Sequence, residues 1–97
     1  MRIMLEKFGT TLTSRQLGRE SFAAFKPHLA ELGDNEGLEI DFEGVNTFSP
    51  SWGDEFLTPL VSSYGDRVKL MNTQNPSVKL TLGLLENINK IKFLIEN

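Results

Sequence analysis

Val45-Asn46-Thr47-Phe48-Ser49-Pro50-Ser51-Trp52-Gly53-Asp54-Glu55-Phe56 is the stretch on which the fold turns. The run before it, Leu38-Glu39-Ile40-Asp41-Phe42, alternates apolar with acidic residues as a strand does. After it, Trp52, Phe56 and Leu60, with Leu57 and Tyr64, recur at helical spacing. The stretch therefore reads as the end of a strand, a loop and the start of a helix. Helix starts leave backbone N–H groups without intrahelical partners, and the helix dipole favours negative charge there. A serine at such a place can cap the helix, hold an anion or carry a phosphate. Two capping arrangements fit: Ser51 with Asp54 three residues on, or Ser49 with Pro50 in the first helical position.

Outward from this stretch, helices and strands alternate. Residues 3–8 form a first strand, ended by Gly9, and Thr10-Thr11-Leu12-Thr13 is expected to return antiparallel to it as a hairpin. Thr13 or Ser14 then opens a helix whose apolar face runs Gly18, Phe22, Phe25, Leu29, Leu32. Pro27 removes a backbone donor from that helix, which predicts a kink or restart near Lys26. Arg15 stands in the first turn, where a cation opposes the dipole, so it calls for an acidic partner or ligand.

Glu43-Gly44 marks a turn after the central strand. Asp41, at that strand's carboxyl end, is expected either to accept N–H groups from the following loop or to meet a ligand or partner. Pro59 predicts a bend in the second helix, with Thr58 as a new cap, and Gly65 predicts its end. Arg67-Val68-Lys69-Leu70-Met71 is the next strand. Asn75-Pro76 then begins a last helix with Val78, Leu82, Leu85, Ile88, Ile91 and Ile95 on one stripe, although its last few residues fit extended chain as well. Leu80, Leu84, Phe93 and Leu94 fall off that stripe and mark either further core or a face for a partner or a second copy, which would make a homodimer.

The expected architecture is α/β: one small domain over residues 1–97, with a mixed, mostly parallel sheet of about four strands and three helices. Right-handed crossovers put loops 43–51 and 72–75 at one edge of the sheet, where ligands of open α/β sheets collect.

Composition narrows the function. Net charge is −3 and the ten Lys and Arg are scattered, which argues against a nucleic-acid partner. The chain has no cysteine and one histidine, so neither a disulfide framework nor a thiolate metal site is expected. No window approaches ~18 uninterrupted apolar residues and the start lacks a secretory h-region, so the chain reads as soluble and cytoplasmic, away from membranes. His28 lies beyond Pro27, far from the serines, so no Ser-His-Asp set forms, and no glycine pattern cradles a phosphate. Neither a cofactor nor an enzyme is expected.

Ile40-Asp41-Phe42-Glu43-Gly44-Val45 followed by Phe48-Ser49-Pro50-Ser51-Trp52-Gly53-Asp54-Glu55-Phe56 resembles the STAS-like domain family of unknown function, with its Asp-Phe-x-x-Val, Ser-x-Ser-Phe and Asp-Glu pattern. Phe8-Gly9 and Ser14-Arg15 match it too. Through the fold the chain is similar to bacterial anti-sigma factor antagonists. That resemblance implies a non-enzymatic regulatory module of a signalling system, binding a partner of the histidine-kinase type, an ATPase or kinase, through the loop and helix start at residues 46–56. Laying the antagonist motif on the chain places its phosphorylated serine at Pro50, so Ser51 or Ser49 would have to substitute. The residues expected at the surface of contact are Ser14, Arg15, Asp41, Ser49, Ser51, Trp52, Asp54 and Glu55. The alternative is a sensor of a small anionic ligand or nucleotide, held by helix starts at Ser14, Arg15, Ser49, Ser51 and the loop 72–75.

Overall fold

The computed structural model describes residues 1–96, and the first departure from expectation comes at its first strand. β1 (Arg2–Met4) is short because Leu5–Phe8 coil into a 3-10 turn, closed by the Gly9 N–H on the Glu6 carbonyl. β2 (Thr11–Leu12) does not fold back on β1. It pairs parallel with β4 (Thr47–Phe48), Thr11 opposite Thr47 and Leu12 opposite Phe48. The expected antiparallel hairpin is thus replaced by a separate two-stranded sheet. Coiling buries Leu5 and turns the chain aside, and the Thr10 carbonyl then accepts the N–H groups of both Asn46 and Thr47.

α1 (Arg15–Phe25) starts at Ser14, whose Oγ accepts the Leu17 N–H at 3.2 Å. It gives way at Lys26–Glu31 to a 3-10 segment, the restart that Pro27 predicts. β3 (Leu38–Asp41) lies in the middle of the sheet and leads through a turn at Gly44, φ 86°, where the Val45 N–H bonds back to Phe42. α2 (Pro50–Tyr64) begins at Ser49, so the Ser49–Pro50 arrangement caps the helix and the Ser51 one does not. Pro59 does not divide α2, and Thr58 donates to Asp54 Oδ1 at 3.0 Å instead of capping a new helix. Gly65 ends it with φ 52° and its N–H on the Val61 carbonyl.

β5 (Val68–Met71) follows, and α3 (Pro76–Asn89) is capped by Asn75 Oδ1, which accepts the Ser77 and Val78 N–H groups. Lys90 turns left-handed at φ 54°, and β6 (Leu94–Ile95) returns as an extended edge strand. The extended alternative for the tail therefore holds. Phe93 joins the core, whereas Leu80, Leu84 and Leu94 are exposed.

The main sheet runs β1-β3-β5-β6, all parallel, with Ile3 opposite Ile40, Ile40 opposite Leu70 and Leu70 opposite Ile95. Each crossover advances one strand in the same direction, and right-handed crossovers then lay all three helices on one face. Under them Ile3, Ile40 and Leu70 meet Phe25, Trp52, Phe56, Leu57, Leu60, Val78 and Leu85 in one core. Each such side chain contributes about 1.5–3 kcal/mol through burial.

Candidate functional site

Polar side chains and the β2–β4 pairing together assemble the edge that carries the candidate residues, the Ser49 N–H bonding to the Leu12 carbonyl at 2.9 Å. Asn75 Nδ2 donates to the carbonyls of Val45 at 3.3 Å and Asn46 at 3.1 Å, which joins the two strand-to-helix loops. Ser77 Oγ accepts the Phe48 N–H at 3.0 Å, and Thr81 Oγ1 donates to the Phe48 carbonyl at 2.5 Å. Ser49 does two things with one hydroxyl: it accepts the Trp52 N–H at 3.3 Å and donates to the Thr13 carbonyl at 2.8 Å. The starts of α1 and α2 are thereby held side by side.

Arg15 finds its acidic partners across this junction. Its Nη1 lies 3.1 Å from Glu55 Oε1 and 3.3 Å from Asp54 Oδ2, while Arg19 Nη2 reaches Glu55 Oε1 at 3.3 Å. The Arg15 hydrogen bond holds the Glu55 carboxyl below its ordinary value, aided by Arg19 and opposed by partial burial. Arg15 is raised in turn, by Glu55 first and Asp54 second. All four side chains keep solvent exposure, so these pairs order the surface more than they stabilise the fold.

The structure sorts the remaining candidates. Ser14 and Ser49 are caps with occupied hydroxyls. The half-buried Ser51 forms no hydrogen bond through its hydroxyl among the described residues. Trp52 is 1% exposed and stacked on Phe56 at 4.9 Å, so it belongs to the core and is no surface anchor. Asp41 is likewise removed from any ligand. It has no exposed surface, and its oxygens accept from Arg2 Nη2 at 2.5 Å, Asn72 Nδ2 at 2.8 Å and the Glu43 N–H at 2.9 Å. Burial opposes its charge, but the bonds from Asn72, Arg2 and Glu43 outweigh burial and hold the carboxyl below its ordinary value.

Sequence reading did not foresee Arg2 as the partner of Asp41, nor the Arg19 contribution to the charged cluster. Arg2 and Asp41 are 39 positions apart and carried no shared motif. Arg19 did carry a signal: it stands one helical turn from Arg15.

Among the described residues no group of three His, Cys, Asp or Glu side chains could hold a metal ion, and no pocket opens. The described helices include none long and apolar enough to cross a membrane. His28 stacks on Phe25, with ring centroids 6.2 Å apart. Arg15 is neutralised by two carboxylates, which weakens the pull of the paired helix starts on an anionic ligand.

A family profile described as a STAS-like domain of unknown function matches residues 22–78. The chain belongs to this STAS-like family. No curated protein and no solved structure gives a significant match. The STAS-like match enters at Phe22 in α1, spans β3, β4, α2 and β5, and leaves at Val78 in the first turn of α3. Ser49, Ser51, Asp54 and Glu55 lie inside it, whereas Ser14, Arg15 and Arg19 come before it.

Proposed function

We propose that this STAS-like domain is a regulatory protein-interaction module that receives its partner on the surface formed by residues 46–56 and the first turns of α1. The carrying observation is the mixed-charge cluster of Arg15, Arg19, Asp54 and Glu55, ordered by ion pairs between two helices and still open to solvent. Ordered charges of both signs favour specific, electrostatically steered docking of a protein with the complementary pattern. The resemblance to anti-sigma factor antagonists supports a histidine-kinase-type ATPase as that protein, with neither cofactor nor catalysis in this chain.

Ser51 is the residue suited to a switch. A phosphate on it adds about −1.5 to −2 charge beside the Asp54 and Glu55 carboxylates and would disturb the docking surface. Ser49 is unsuited, because its hydroxyl already caps α2 and ties it to Thr13.

The reading is tested by capturing partners from the native host with the wild-type chain and with Ser51→Asp and Glu55→Lys, then measuring the captured protein's affinity by calorimetry. An ATPase-type partner whose affinity drops at least tenfold with both variants is the expected result. A partner that binds both variants as tightly as wild type overturns this placement of the surface.

A further inference from the structure

α3 is apolar on two sides. Val78, Leu82 and Leu85 face the core, while Leu80, Leu84 and Ile88, 68%, 41% and 68% exposed, stand one turn apart in a row on the outer side. Single exposed leucines are ordinary, but three in a row along one helix mark a contact surface.

Gly83 lies on the same side, one turn from Leu80 and Asn87. The other two glycines inside helices, Gly18 and Gly53, stand where a neighbour presses in: a Cβ would meet the Trp52 main chain at 2.8 Å and the Leu85 side chain at 2.9 Å. At Gly83 a Cβ would meet nothing within 4 Å. The folded chain alone has no use for a residue that weakens this helix, whereas a second helix crossing here would use it, because glycine lets two backbones approach closely.

Charge sets the direction of that second helix. Lys79 and Glu86 are seven residues apart, two turns, and so share one flank of the row. Lys79 forms no ion pair among the described residues, and Glu86 Oε2 accepts the Phe93 N–H at 2.8 Å, which fixes its carboxylate on that flank. Lys90, at the end of α3, is the other charged residue there. On the opposite flank Asn89 donates to Thr58, and Thr58 to Asp54, which Arg15 already engages. A parallel copy of α3 would set Lys79 against Lys79 and Glu86 against Glu86. An antiparallel copy related by a two-fold axis at Gly83 brings Lys79 of each chain within one residue of Glu86 of the other and leaves it three residues from Lys90, so the attraction is the closer contact. The same axis lays one row of Leu80, Leu84 and Ile88 along the other.

We propose that the outer face of α3 is an isologous interface with a second copy of this chain, the two helices crossing antiparallel at Gly83. A single pair of helices buries less than the ~800 Å² per partner of a stable complex, so the dimer is reversible. This face carries none of the residues assigned to the docking surface at α1 and α2, and the two readings stand or fall separately.

The test is sedimentation equilibrium of the whole chain from micromolar to millimolar concentration, with amide NMR shifts followed over the same range. A monomer–dimer equilibrium is expected, with concentration-dependent shifts centred on Gly83, Leu84 and Asn87. Leu84→Glu and Lys79→Glu, both at exposed positions and checked as folded by circular dichroism, are expected to weaken association at least tenfold and at least threefold. Gly83→Gln fills the crossing point with a better helix former, so it is expected to raise the melting temperature of the dilute chain while weakening its association. A chain that stays monomeric at millimolar concentration, assembly that grows beyond dimers, shifts centred on another face, or association as tight as wild type in any of the three variants overturns the proposal.

Discussion

Gly18 lies so close to Trp52 that a Cβ on it would stand 2.8 Å from the Trp52 carbonyl oxygen and 3.0 Å from its Cα. The first turns of α1 and α2 therefore pack backbone against backbone, which is what lets Ser49 reach Thr13 and Arg15 reach Glu55. Alanine exceeds glycine in helix preference by about 1 kcal/mol, yet here the obstacle is main chain and cannot swing aside. Gly18→Ala is expected to destabilise the domain by about 1–3 kcal/mol in urea unfolding.

Gly83 supplies the opposite case. It also sits inside a helix, but a Cβ there would meet nothing within 4 Å. Gly83→Ala should stabilise by about 0.5–1 kcal/mol. A Gly18→Ala variant as stabilised as Gly83→Ala would contradict the close approach of α1 and α2.

The two serines flanking Pro50 are predicted to differ. Ser49→Ala loses both the cap on the Trp52 N–H and the bond to Thr13 and should cost about 1–2 kcal/mol. Ser51→Ala should stay within about 0.5 kcal/mol of wild type, since its hydroxyl holds nothing among the described residues. Thermal unfolding of the two variants side by side decides this.

Asp41 sets a pH dependence. Its carboxyl lies below its ordinary value in the folded chain and near about 3.9 when unfolded, so the unfolded state binds the proton first as pH falls. The stability it contributes is complete above the unfolded value and is lost as pH drops through about 4 toward the folded value. Glu55 and Glu36, both lowered, act in the same direction. Asp41→Asn should cost about 1–3 kcal/mol at neutral pH and flatten the stability profile between about pH 5 and 3. An unchanged profile in that variant would show that Asp41 is not the group responsible.

Trp52→Ala should act on the fold before it acts on any partner. The indole stacks on Phe56 and meets Phe48 and Phe8 at centroid distances of 5.9 and 6.2 Å, so its loss is expected to cost about 3–5 kcal/mol. A variant that keeps wild-type stability while losing a partner would return Trp52 to the surface.

Local signals were well read where their cause is local. Pro27 ended α1 because an imino nitrogen has no proton to give, whatever surrounds it. Pro59 has a smaller effect: one missing N–H inside a helix held on both sides by Phe56, Leu57 and Leu60 in the core does not end it, and Thr58 starts no new helix there. At the candidate site the need of Arg15 for an acid was legible from its place in the first turn. Which acids answered it was not, since Asp54 and Glu55 lie 39 and 40 positions away.

What the amino-acid sequence determined by itself were the periodic and punctuated parts: three helices, the strands at β3 and β5, and the cap at Asn75. These depend on residues within a turn or two of one another. Tertiary structure alone decided that Ser49 rather than Ser51 caps α2, that β2 joins β4 and leaves β1, and that Asp41 is closed off by Arg2 and Asn72. It also decided that one face of the sheet stays open. Pairing between distant strands requires the chain to close loops of tens of residues, and only the collapsed core compensates that loss of entropy. Short-range patterns in the sequence carry no trace of it.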